Sequence, residues 1–364
     1  MEDSTFKNKK SRKRVHTLTS RQLIGLALGV AGIALAFLFT LLFWRSAQSR
    51  TRDGLDRPLQ AASSLMERDP LTGVRVEHVQ ANKQIYGVMI DEHVDARPQS
   101  GIDQAFLVIE APVEAGIPRL LAFFSADQHV DKIGPVRSAR PYFIDWVNEL
   151  DALYAHVGGS NEALAKISTG ITFDLNQFWH DPQFWRAQDR DAPHNVYTST
   201  DLLGSYVQSK KDAGRVTNPL YGVWKFKDAD QSVDGLEQEF SIVYSGADDT
   251  TSWSFDSVAK NYISSNKESR HADGTVANVR AENVAVVVTD VSIIDAIGRR
   301  KIRTIGTGKA FVFQDGKKID GMWKKPSDTE RLKFFDVKGN EIAMDAGVTW
   351  IEVIADVSQL NVQK

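Results

Sequence analysis

From Leu23 to Trp44 the chain runs 22 residues without a charge, and Thr40 is the only polar side chain among them. As a helix rising about 1.5 Å per residue this run reaches roughly 33 Å, enough for a hydrocarbon core of about 30 Å. A secretory signal peptide has a shorter apolar stretch, about 7–15 residues, and ends in small residues at a cleavage site. Here Trp44-Arg45-Ser46-Ala47 puts an arginine where such a site would lie. The run therefore predicts an uncleaved transmembrane helix over residues 22–44. Lys7, Lys9, Lys10, Arg12, Lys13, Arg14 and Arg21 precede it, whereas Arg45, Arg50, Arg52 and Arg57 follow. The positive-inside rule then leaves residues 1–21 as a basic cytoplasmic tail and puts everything from residue 45 outside. The expectation is a single-pass protein of the cell membrane, with the lipid bilayer as its first partner.

Charge is divided in the same way. Residues 1–57 hold 11 Lys/Arg and 4 Asp/Glu, and the remainder holds 33 and 43, a balance of −10. An acidic soluble region lacks the basic footprint of a nucleic-acid binder, so no nucleic acid is expected. Cysteine is absent, which excludes disulfides, thiol catalysis, zinc–thiolate sites and attachment through a lipobox cysteine.

Residues 45–80 are polar and contain Pro58, Ser63, Ser64 and Pro70, the texture of a stalk. Beyond them Gln84–Ile90, Gln104–Glu110, Arg119–Ser125 and Ala152–Val157 are short apolar runs that predict strands. Phe143, Trp146, Val147 and Leu150 fall at i, i+3, i+4 and i+7 and predict a helix from Pro141 to Leu150. Ser160 is suited to cap a helix through Ile167, and Thr200–Asp212 predicts another. After Asn218-Pro219 the reading is nearly all strand, over Glu239–Tyr244, Trp253–Asp256, Asn283–Val291, Lys309–Phe313, Ile319–Lys324 and Thr349–Ile354. Asp315-Gly316 is a hairpin signal between two of them. The fold class is α+β: a mixed α/β domain over 81–220 and a mostly-β domain over 221–358, with the division near 215–235.

Several unusual words recur in one order. They are Pro70-Leu71-Thr72-Gly73, Ala96-Arg97-Pro98-Gln99-Ser100-Gly101 and Glu110-Ala111-Pro112-Val113-Glu114. Next come Lys132-Ile133-Gly134-Pro135-Val136-Arg137-Ser138-Ala139-Arg140-Pro141-Tyr142-Phe143, His156-Val157-Gly158-Gly159-Ser160 and Ala192-Pro193-His194-Asn195. Gly306-Thr307-Gly308-Lys309-Ala310 and Gly347-Val348-Thr349-Trp350-Ile351-Glu352 complete the set. Over about residues 70–355 the chain resembles the YerB-like lipoproteins, a bacterial family of unknown function. The resemblance implies two domains in this arrangement and an extracytoplasmic location, and it assigns no activity. Family members are often lipid-anchored through a cysteine, which this chain replaces with an apolar run, and they tend to carry Asn where this chain has Glu92.

Candidate chemistry gathers around residues 134–142. Arg137 and Arg140 precede a helix that opens at Pro141, where cations are electrostatically misplaced unless an anion sits beside them. That anion is either an internal carboxylate, Glu110 or Glu114 paired with Arg97, Arg119, Arg137 and Arg140, or a ligand held by the arginine forks. His156-Val157-Gly158-Gly159-Ser160 ends a strand in two glycines and a hydroxyl before a helix, so its backbone N–H groups offer a second anion cradle. A nucleophilic pair of Ser160 with His156 or His194 is conceivable, but no G-x-S-x-G elbow or placed acid accompanies it. Asp91, His93 and Asp95 alternate and would share one face of a strand as metal ligands, a spacing common by chance. Phe178-Trp179 and Phe184-Trp185 flank Pro182 and would either stack on sugars or pack as core. Gly306-Thr307-Gly308 lacks the context of a phosphate loop. These residues favour a non-catalytic binding module for an anionic envelope ligand or an envelope protein, without cofactor or metal. The alternative is an envelope hydrolase or transferase using a His/Ser/Arg site.

Overall fold

The structure is a computed structural model and describes residues 38–42, 66–77, 83–214, 222–228 and 239–363. The chain divides into two units, residues 1–65 and 66–364. Of the first, only residues 38–42 are described, and they are helical. The rest of the expected transmembrane run, the basic tail and most of the stalk lie outside the described residues. No helix among the described residues is long and apolar enough to cross a membrane.

The second unit is mostly β. Its centre is a ten-stranded sheet in the order Lys333–Asp336, Lys317–Lys325, Gly306–Gln314, Asn283–Val288, Thr349–Ile354, Leu107–Pro112, Pro118–Ser125, Ile85–Asp91, Leu153–His156 and Phe173–Asn176. The first five strands come from the C-terminal half of the sequence and the last five from the N-terminal half. They join where Thr349–Ile354 runs parallel to Leu107–Pro112, with Glu352 opposite Glu110. Ile85–Asp91, Leu107–Pro112 and Thr349–Ile354 are buried at every position. That is why they read as apolar runs without alternation, since both faces of such a strand are covered.

Each face packs on a different layer. Ile85, Met89, Leu107, Ile109, Phe123 and Val353 meet Tyr142, Phe143, Trp146 and Val147 of the helix Pro141–Asn148 (α1). Residues one position along, Tyr86, Val88, Val108, Ala122, Val286 and Trp350, pack on a second sheet. That sheet has five antiparallel strands in the order Val276–Ala281, Asn261–Arg270, Thr250–Asp256, Glu239–Val243 and Leu360–Val362. Leu203, Tyr206 and Val207 of the helix Thr200–Asp212 (α3) close the same face. The intervening helix Asn161–Ile167 (α2) starts at Ser160, whose Oγ accepts from Ala163 N–H at 3.3 Å. Both cores draw on both halves of the sequence. Their side chains are each worth about 1.5–3 kcal/mol when fully buried, so the halves stabilise one another.

Two expectations gain detail here. Residues 66–77, assigned above to the stalk, form a short hairpin of Met66–Arg68 with Arg75–Glu77, and Leu71 at its turn is buried. Asp315 and Gly316, both with positive φ, join Gly306–Gln314 to Lys317–Lys325 as the hairpin signal predicts.

Candidate functional site

Strand Ile85–Asp91 lies parallel to Leu153–His156, which lies parallel to Phe173–Asn176. Ligand crevices in α/β sheets commonly open at the carboxyl ends of parallel strands, and Asp91 and His156 stand at these ends. Residues 133–140 form a strap across them. Asp91 N–H donates to Pro135 O at 2.8 Å, Arg137 N–H to Met89 O at 2.9 Å, and Val157 N–H to Arg137 O at 3.0 Å. Gly134 has φ +147°, and a Cβ there would lie 2.8 Å from Val196 O. Only glycine lets the strap come this close to the segment that leads on to α3.

The strap spreads the arginines apart. Arg140 Nε and Nη2 donate to the two oxygens of Glu114 at 2.8 and 2.7 Å, a bidentate pair. Burial alone would raise the Glu114 carboxyl, but the Arg140 hydrogen bonds and charge hold it below the usual range. Arg97 donates to Glu92 O at 3.1 and 2.9 Å and to Asp248 O at 2.6 Å, so it serves the fold. Arg119 is 6% exposed and donates to Ser138 O at 2.8 Å, while its buried Nε has no hydrogen-bond partner. Burial first, and then the Arg140 charge, push its guanidinium down to about 10. Arg137 is different. Its Nε lies 2.9 Å from Asp91 Oδ2 without hydrogen-bond geometry. Of these four arginines it alone has no hydrogen bond from its guanidinium among the described residues.

Asp91 Oδ2 also meets His194 Nδ1 at 2.7 Å, and the His194 ring stacks on His93 with centroids 5.0 Å apart. Arg190, which stands in none of the recurring words, donates to Ala96 O and to Pro98 O. It ties the segment bearing His194 to the turn bearing His93. The geometry expected for Asp91, His93 and Asp95 is corrected here. The strand ends at Asp91, and Val94–Ala96 is a 3-10 turn whose N-cap is His93. It is the turn, not strand alternation, that brings Asp95 back to His93.

Other expected groups are already engaged. The cradle at Gly158–Ser160 is filled by the protein itself: Gly158 N–H donates to Asn176 Oδ1 at 3.0 Å and Ser160 N–H to Ala139 O at 3.2 Å. His156 is buried, with Nε2 2.6 Å from Asp174 Oδ1 and Nδ1 2.6 Å from Gly158 O. Ser160 is a helix cap. These bonds join neither histidine to Ser160.

Among the described residues Glu110 pairs with no arginine, unlike the internal pairing that was one of its two alternatives. It is fully buried against Lys267, whose Nζ lies 3.0 Å from Glu110 Oε1 and 2.7 Å from Glu92 Oε1. Glu352 lies in the same interior and accepts from Trp253 Nε1 at 3.0 Å. Burial and then the Glu110 charge raise its carboxyl well above the usual range. Tyr244 Oη is 2.7 Å from Glu352 Oε2 and 3.1 Å from Glu110 O, two acceptors for one phenolic proton. A protonated Glu352 satisfies both: it donates to the phenol oxygen, and the phenol donates to the carbonyl. Lys267 and Glu92 gave no sequence signal as a pair, being 175 residues apart.

Among the aromatics, Phe184 is core and Trp185 stacks on Tyr197 at 6.1 Å, whereas Phe178 and Trp179 are exposed.

Residues 71–213 match the family described as "Protein of unknown function (DUF3048) N-terminal domain", and residues 240–351 match its C-terminal domain. The chain is 31% identical over 341 residues to "Putative lipoprotein YerB" of Bacillus subtilis (strain 168), covering 91% of this chain and 96% of that protein. It belongs to the YerB-like family. The crystal structure of the YerB protein from Bacillus subtilis superimposes with a TM-score of 0.72 at 29% identity, covering 82% of this chain and all of the other.

The YerB-like words now have physical reasons. Residues 132–143 are the strap and the start of α1. Ala192–Asn195 places His194 on Asp91. Gly308 has no room for a side chain, because a Cβ would lie 2.4 Å from Trp323 Nε1. That indole donates to Val288 O at 2.9 Å, directly over the glycine.

Proposed function

We propose that this YerB-like protein is a membrane-anchored, extracytoplasmic binding module that holds an anionic envelope ligand at Arg137. The observation that carries the reading is the Arg137 guanidinium, a quarter exposed and without a hydrogen bond from the protein, set beside buried Arg119. Arg119, Arg137 and Arg140 face Asp91 and Glu114, so the group keeps one positive charge that a phosphate or carboxylate would balance. Binding is favoured over hydrolysis because Ser160 is spent on a helix cap and His156 on Asp174.

Arg137→Ala should lower retention on a phosphate-bearing wall polymer at least tenfold and lower Tm by only a few degrees, since Asp91 loses its 2.9 Å ion pair but keeps His194 Nδ1 at 2.7 Å. Arg140→Ala should lower Tm more, because half-buried Glu114 loses its fork. Equal retention by the Arg137→Ala protein would defeat the reading.

The anchor is the run Leu23–Trp44, with the relative's description as a lipoprotein in support of a membrane location. Protease added to intact spheroplasts should digest the chain from residue 45 onward and spare a small N-terminal fragment. Survival of the soluble region until the membrane is broken would reverse the orientation.

A further inference from the structure

We propose that His93, Asp95 and His194 bind one divalent transition-metal ion, with Asp91 as the group that orients His194. One ligand atom from each of the three lies within 4.8 Å of the other two. Two imidazoles and one carboxylate form a donor set suited to zinc, iron, cobalt or nickel and poorly suited to calcium or magnesium, which prefer all-oxygen shells.

A chance cluster of surface residues need not have a supporting shell, and this one has it. His194 Nδ1 is bound by Asp91 Oδ2 at 2.7 Å, so the ring is held and Nε2 is left to ligate. A carboxylate on the far nitrogen of a ligating histidine sets its tautomer and raises its basicity. Asp91 is itself fixed at a strand end, is 2% exposed, and accepts from His93 N–H at 3.2 Å. His93 Nδ1 lies 3.4 Å from Asp95 Oδ2, and it would exchange the long 3.3 Å hydrogen bond that it accepts from Asp95 N–H for the metal, since a neutral imidazole has one lone pair to give. Arg190 locks the two carrier segments together.

Metal bonds of about 2.0–2.1 Å place tetrahedral ligands roughly 3.3 Å apart, so the donors must close by up to about 1.5 Å. Asp95 is 69% exposed at its side chain and His93 36%, and both are free to make that movement. Three protein ligands leave the fourth tetrahedral position to water or an anion. The inference does not need the anion reading: a metal can bind whether or not Arg137 holds a ligand.

The test uses the full chain in detergent, stripped with a chelator and dialysed against Zn2+ or Co2+ alone. One equivalent should bind, and cobalt should show visible absorption typical of low coordination. His93→Ala, His194→Ala and Asp95→Asn should each weaken binding at least tenfold, and Asp91→Asn about 10- to 100-fold. Asp95→Asn changes an exposed group and so keeps the test valid if a histidine variant misfolds. His129 also lies between two carboxylates, Asp131 at 2.9 Å and Asp201 at 3.3 Å, all exposed. His129→Ala should change nothing. No stoichiometric binding, undiminished binding in Asp95→Asn and His194→Ala, or an equal loss in His129→Ala would each overturn the proposal.

Discussion

Lys267→Ala should destabilise the full chain by about 3–5 kcal/mol, because it strands Glu110 in the interior without its cation and leaves Glu92 only Arg97, whose Nε lies 3.2 Å from Glu92 Oε1. For a unit of this size that corresponds to a fall in Tm of about 6–10 °C in thermal unfolding. Burial opposes the Lys267 charge, yet Glu110, Glu92 and Glu352 outweigh it and raise its ammonium above the ordinary range. Its contribution is therefore fully present below the ordinary lysine value and lost only as pH rises through the folded one.

Glu352→Gln should behave oppositely and stay within about 1 kcal/mol of the parent, since an amide keeps the acceptor for Trp253 and the donor for Tyr244. The folded Glu352 carboxyl is raised, so the native state binds this proton more tightly than the unfolded chain. Its contribution to stability is greatest below the ordinary glutamate range and declines as pH climbs towards the folded value. Glu352→Gln should flatten that slope. A Lys267→Ala protein with parental Tm, or a Glu352→Gln protein as damaged as Lys267→Ala, would remove the charge assignment made here.

The second large effect concerns the connection between the halves. A protease site placed within residues 229–238 should yield two fragments that co-elute and unfold in one transition. Separated in denaturant, neither should recover native circular dichroism alone. Thr349–Ile354 would leave Leu107–Pro112 with a bare edge, and Lys267 would leave Glu110 without its cation. Glu149 would be exposed to the same fault, since Lys325 Nζ at 2.9 Å and Arg331 Nη1 at 2.6 Å come from the other half. Two fragments that each refold independently would contradict the shared core.

These couplings explain what was legible in the sequence. Strands buried on both faces, such as Thr349–Ile354, are apolar at most positions and their limits are read directly. Pro141 and Ser160 mark helix starts because their chemistry is local. Asn261–Arg270 carries no such signal, because only one side of that strand turns inward and several of its inward positions are polar: Ser264, Lys267 and Ser269. In the candidate site, Arg137, Arg140 and His194 were identifiable as reactive types in unusual words. Their division of labour was not, since it depends on which carboxylate the fold delivers. Arg140 receives Glu114 from 26 residues away, and Asp91 reaches His194 across 103. The change of texture near 215–235 is real in the sequence, but the hydrogen bonds of the large sheet run straight past it.

The position of Thr349–Ile354 also sets a timetable. The strand that completes the middle of the sheet is made after both of its neighbours, which come from residues 107–112 and 283–288. Each neighbour therefore waits with one unpaired edge until residue 354 has been synthesised, and the two halves of the sheet are joined only by that late arrival.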